Sequence, residues 1–108
     1  MSKRPLEALT ETMFYVLMSF RKRDLCGAEI ADFVERKTCG RVRLGPGTLY
    51  TILAKFEEEQ LIREVNVLGR KRTYRLTDKG RALYGDELER LRACIADAES
   101  EELSLIHI

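Results

Sequence analysis

The chain has 108 residues, 44% hydrophobic and 34% charged, with a formal net charge of +1 at pH 7. That length allows one domain with a modest core that gains from a partner chain, and the balance fits an ordered, largely helical protein. No run of about 18 apolar residues is present to span a bilayer, and the opening MSKRPLEAL lacks the apolar centre of a secretory signal, so no membrane partner and a cytoplasmic location are expected.

Cys26, Cys39 and Cys94 are odd in number and have no C-x-x-C spacing. A disulfide framework and a zinc site are both disfavoured, and three reduced thiols are expected. No metal, no other cofactor and no catalytic residue is expected. The chain has no Gly-rich phosphate loop, no Cys/His pair at a usable spacing and no paired-carboxylate motif.

Taken in chain order, the first helix is expected from about Pro5 to Phe20, with Pro suited to its start. Leu6, Leu9, Met13, Val16, Leu17 and Phe20 recur at helical spacings and give one buried stripe. The polar Arg21–Asp24 follows as a loop. A second helix over about Gly27–Lys37 buries Ile30, Ala31 and Val34, and Gly40 suits a left-handed end.

Pro46 opens a third helix reaching about Gln60. Its inward face is Leu49, Ile52, Leu53 and Phe56. Its outward face, Thr48, Tyr50, Thr51, Ala54 and Lys55, is small or hydrogen-bonding. Such a face fits a groove about 12 Å wide and can touch base edges. Leu61–Leu68 and Thr73–Leu76 read as two strands joined by Gly69-Arg70-Lys71-Arg72, with Gly at the turn as a tight hairpin demands. Three consecutive cations there suit contact with phosphates or the minor groove.

Thr77 caps a last helix. Tyr84, Leu88, Leu91, Ile95 and Ala98 follow at spacings of four, three, four and three, a narrow heptad seam that predicts a matching helix from a second subunit. Residues 103–108 do not continue the seam and are expected to be a disordered or foreign tail. His107, the single histidine, falls there. The expected division is 5–76 as a winged helix-turn-helix domain, 77–102 as a dimerisation helix, and 103–108 as the tail.

Charge follows the same division. Residues 41–81 carry ten Lys/Arg against five Asp/Glu, a net +5, whereas residues 86–102 carry two against seven, a net −5. Two poles suit a protein that presents one face to phosphates. The predicted fold is therefore mainly α with a small β-hairpin, a winged helix-turn-helix followed by a C-terminal dimerisation helix.

The run from Leu44 to Gly80 resembles the PadR family of bacterial transcriptional regulators, and the likeness extends over roughly Leu9–Ala98. It rests on PGTLY at Pro46–Tyr50, Leu53, and the acidic run ending in Gln60-Leu61-Ile62. GRKRTY at Gly69–Tyr74 and LTDKG at Leu76–Gly80 complete the pattern. One helix after the wing resembles the family's small, single-domain subgroup. The resemblance implies a homodimeric repressor binding near-palindromic operators, with the PGTLY helix in the major groove and Thr48 and Tyr50 at the DNA surface. Some family members bind drugs or phenolic compounds between dimerisation helices. Trapping a planar drug between tryptophans is excluded here, because the chain has no Trp. Tyr84 offers a smaller aromatic surface, with a place in the seam as its simpler role.

Double-stranded DNA is thus the expected partner. Arg41, Arg43, Arg70, Lys71 and Arg72 are assigned to phosphates, which set orientation and carry little sequence information. Thr48, Thr51 and Lys55 are assigned to base edges, Tyr50 to a phosphate, and Gly47 to close backbone approach. A winged-helix protein-interaction adaptor without specific DNA binding stays open as the alternative. Any small-molecule effector is left unidentified.

Overall fold

The computed structural model describes residues 9–106, and the first helix among them is capped by Thr10. Thr10 has extended backbone and its hydroxyl accepts from the Met13 N–H at 3.1 Å, so the chain cannot run through it as continuous helix. Helix α1 is therefore Glu11–Ser19. Pro5, Leu6 and His107 lie outside the described residues.

The elements that follow are β1 (Leu25–Cys26), α2 (Gly27–Lys37), α3 (Pro46–Glu58), β2 (Ile62–Leu68), β3 (Lys71–Leu76) and α4 (Asp78–Ile106). The fold is mainly helical, with a three-stranded antiparallel sheet in the order β1-β3-β2. Strand β1 was not expected. It is only two residues long and exists because Leu25 pairs with Tyr74 and Cys26 with Thr73.

The core sits where α1, α2 and α3 meet the sheet. Leu17, Leu25, Ile30, Leu53 and Phe56 are almost wholly buried there. All four residues assigned to the inward face of α3 are buried. α3 ends two residues before the expected Gln60. Gln60 itself takes φ +60°, and the Leu61 N–H reaches back to the Phe56 carbonyl at 2.8 Å. That is a Schellman termination, built here on Gln where Gly is usual.

The hairpin turn is tighter than the sequence suggests. Only Gly69 and Arg70 lie in it, Gly69 with φ +60°, while Lys71 and Arg72 already belong to β3. A glycine at the first of two central positions is what a type II′ turn requires. Beyond it Leu68 pairs with Lys71 and Val67 with Arg72, and a bulge interrupts the register between Glu64 and Asn66.

Thr77 caps α4 as expected, its hydroxyl accepting from the Gly80 N–H at 3.0 Å. The helix then runs 29 residues to Ile106, so residues 103–106 extend it instead of forming a disordered tail. Its two halves differ. Leu83, Tyr84, Leu88 and Leu91 pack against the domain core, and Tyr84 stacks on Phe14 of α1 with ring centroids 5.0 Å apart. From Arg92 to Ile106 every residue is exposed. Among the described residues no helix is long and apolar enough to cross a membrane.

Candidate nucleic-acid interface

Proline at the start of α3 fixes the face that the helix presents. Gly45 has extended backbone and Pro46 follows in the first turn. With Leu49, Ile52, Leu53 and Phe56 committed to the core, Thr48, Tyr50, Thr51 and Ala54 are left exposed and Lys55 half-buried. Gly47 lies on open surface, since a β-carbon there would meet nothing within 4 Å. The Thr51 hydroxyl donates to the Gly47 carbonyl at 2.9 Å, leaving its oxygen as an acceptor toward the outside.

Tyr50 joins this face to the wing. It is 62% exposed and lines a cleft of about 850 Å³ together with Arg70, Lys71, Arg72 and Tyr74. Burial raises the Tyr74 hydroxyl above its ordinary value of 10.0, so it stays protonated in the cleft wall. The opposite wall is the N-terminus of α2, Gly27 to Glu29, which sequence reasoning did not assign to the site. The available signal was Glu29, three residues after Cys26. Its carboxylate accepts from the Cys26 N–H at 2.9 Å and is held below the usual carboxylate range by that bond.

The ten residues assigned to DNA do not stand alike. Arg70 and Lys71 are exposed and form no salt bridge with a described residue. Arg72 lies 3.6 Å from Glu64, and Lys55 lies 3.4 Å from Glu59. Arg43 reaches Glu35 at 3.4 Å. Arg41 is the most engaged. Its guanidinium is bonded to Glu11 and, at 3.0 Å, to the Tyr15 hydroxyl, tying the segment ahead of α3 to α1. Of the ten, Arg70 and Lys71 are the exposed wing cations without a salt bridge to a described residue, although Lys71 acts on the Glu29 carboxylate through its charge.

The dimerisation residues also separate. Tyr84, Leu88 and Leu91 are partly buried on their own domain, while Ile95 is 58% exposed and Ala98 is exposed. Leu103, Leu105 and Ile106, beyond the expected seam, continue the exposed apolar series. No group of His, Cys, Asp and Glu among the described residues could hold a metal ion.

Comparison with known proteins agrees with this geometry. A transcriptional regulator from Clostridium thermocellum superposes with a TM-score of 0.73 at 21% identity, covering 86% of this chain and 97% of that one. Bacillus subtilis PadR, solved in complex with operator DNA, gives a TM-score of 0.63 at 25% identity over 70% of this chain and 45% of that one. A stretch of 45 residues is 51% identical to an uncharacterized 37.1 kDa protein in transposon TN4556 of Streptomyces fradiae; it covers 42% of this chain and only 13% of that relative's length. Residues 16–86 match the family model described as the transcriptional regulator PadR-like family. The chain belongs to that family of DNA-binding winged-helix transcriptional regulators, which are not enzymes.

Proposed function

We propose that this protein is a sequence-specific repressor that binds a palindromic operator in double-stranded DNA as a homodimer. The observation that carries the reading is the shared cleft. Tyr50 of the exposed α3 face and the exposed wing cations Arg70 and Lys71 line one opening, so a helix in the major groove would bring the wing onto the adjoining backbone. The B. subtilis protein bound to operator DNA supports the same partner. The projecting half of α4 supports the dimer, because Ile95, Leu103 and Ile106 are large apolar side chains left mostly exposed. Residues 5–76 then form the reading domain, and the helix from Thr77 joins two copies.

In this arrangement Thr48, Thr51 and Lys55 read base edges, Tyr50 donates to a phosphate, and Arg43, Arg70, Lys71 and Arg72 set register. One observation favours the adaptor reading. Arg41, Arg43, Lys55 and Arg72 all have acidic partners within the chain, which lowers the positive field of the face. Selection of genomic fragments by the purified protein at physiological salt decides between them. Recovery of an inverted repeat supports the repressor; enrichment of no sequence by folded, dimeric protein supports the adaptor.

A further inference from the structure

Val67 and Leu68, at the outer end of β2, are 48% and 68% exposed. Every residue from Asn66 to Arg72 is exposed, so the wing projects beyond the Glu64–Tyr74 pair. Val67 pairs with Arg72 and Leu68 with Lys71. Directly opposed residues keep their β-carbons about 5 Å apart, so each apolar side chain stands beside a cation that lines the cleft with Tyr50. The phosphate contacts assigned to the wing use Arg70, Lys71 and Arg72 and leave this apolar pair without a role.

Two adjacent apolar side chains on a projecting hairpin gain from a surface that covers them. The charge around them selects its kind. Over Ile62–Leu76 there are five cations, Arg63, Arg70, Lys71, Arg72 and Arg75, against one carboxylate, Glu64. The same tip from a second copy would set cations against cations, whereas a polyanion neutralises them. With α3 in a major groove and the wing cations on the adjoining backbone, the surface beyond that backbone is the minor groove. Apolar side chains are among those that proteins lay into it. Its floor supplies a selectivity. A·T pairs show only acceptors there, whereas G·C adds the guanine N2 amino group. An apolar side chain laid over that group strips it of water and offers no acceptor in return.

We propose that Leu68, with Val67 beside it, is a specificity-determining residue that makes an apolar contact in the minor groove flanking each half-site and selects A·T over G·C there. The proposal rests on the operator reading and adds to it a second reading point, outside the reach of α3. Leu68 carries no charge, so its contribution is to sequence preference, and the phosphate contacts of its neighbours are separate from it.

The test uses the full chain and an operator recovered by selection with the parent protein. Base pairs flanking each half-site are changed one at a time to G·C and to inosine·cytosine, which keeps the major-groove face of G·C and lacks the N2 amino group. The parent should bind the inosine duplex about tenfold more tightly than the G·C duplex at a position flanking each half-site. Leu68→Ala should bring that ratio below about twofold, with the melting temperature and the salt slope at parent values. Leu68→Thr, which keeps strand propensity, repeats the test if Leu68→Ala melts lower. A parent that never separates inosine·cytosine from G·C, or a variant that keeps the full ratio, would overturn the proposal. So would a salt slope lowered by about 0.9, because the substitution would then act through a phosphate contact. A Leu68→Ala protein that loses self-association would overturn it as well, the tip then serving a second copy. Recovery of no operator by the parent would bring down the operator reading and this proposal with it, whereas a recovered operator that is blind to Leu68 brings down this proposal alone.

Discussion

Gly80 sits so close to Leu61 that a β-carbon built on it would stand 2.1 Å from the Leu61 carbonyl oxygen. The same carbonyl accepts the Thr77 N–H at 3.0 Å, so it cannot retreat without releasing the cap of α4. Replacing a glycine inside a helix by alanine normally gains about 1 kcal/mol. Here the sign reverses. Gly80→Ala should cost about 3 kcal/mol and lower the melting temperature by roughly 10–20 °C. Gly85, on the same helix with nothing within 4 Å of its would-be β-carbon, is the internal control. Gly85→Ala should melt at or above the parent temperature, and a Gly80→Ala protein that does so too would refute the contact.

Wing and recognition helix should fail differently when altered. Arg70→Ala and Lys71→Ala remove phosphate contacts, so each should weaken every duplex alike and lower the salt-dependence slope by about 0.9. Thr51→Ala should cost about 1–3 kcal/mol on the operator and little on random DNA. Because the Thr51 hydroxyl already donates to Gly47, its outward role is to accept, which pairs it with an adenine N6 or cytosine N4 amino group. Anisotropy titrations on operator and random duplexes over a range of salt read both effects. Equal losses on the two DNAs would remove Thr51 from base readout.

Arg41 should behave unlike its neighbours in sequence. Bonded to Glu11 and Tyr15, it is held against α1 and away from the exposed face of α3. Arg41→Ala should therefore leave the salt slope near that of the parent, while Arg70→Ala lowers it. A drop of about 0.9 for Arg41→Ala would instead place its guanidinium on a phosphate.

Arg41 also shows where sequence reading stopped. α2 was expected with the bounds it has, and α3 with its start and its inward face, because local periodicity and Pro46 specify them. A tether between residues 30 positions apart leaves no periodic trace. Strand β1 was invisible for the same reason, since two residues gain strand geometry only from Thr73 and Tyr74. The heptad count found a real apolar line on α4 but could not say what covers it. Tyr84 is met by Phe14 of its own domain, and only from Ile95 onward does the line lack a cover. Three adjacent cations looked like one turn, yet a two-residue turn at Gly69-Arg70 leaves Lys71 and Arg72 in a strand, paired with Leu68 and Val67.

Acid should loosen the protein in a way that Glu87 reports. Glu87 is 7% exposed, and hydrogen bonds from Arg90 at 2.6 and 2.8 Å hold its carboxyl below the ordinary 4.5. Glu29, bonded by Cys26, and Asp24, bonded by Arg75, are lowered in the same direction. A carboxyl that binds its proton more weakly when folded stabilises the fold fully above its unfolded value, and that stability is lost as pH falls through the folded one. The melting temperature should be flat from neutrality to about pH 5 and fall below about pH 4. Glu87→Gln should lower it at neutral pH and converge with the parent at acid pH; parallel curves would show that the Arg90 bonds contribute nothing.

The dimer is best tested beyond the point where α4 leaves its own domain. A charge at Leu91 disturbs the intrachain core as well as any partner, so loss of association there would be ambiguous. Ile95 is 58% exposed, so Ile95→Glu should leave the melting of the domain intact while sedimentation reports a monomer. That monomer should keep non-specific affinity and lose the operator, because twofold-related recognition helices must meet half-sites about 34–36 Å apart. Inserting about five base pairs between half-sites should do the same to the parent by turning one half-site to the opposite side of the duplex. An Ile95→Glu protein that still sediments as a dimer would move the interface off the projecting half of α4, and the exposed Leu103, Leu105 and Ile106 would then need another explanation.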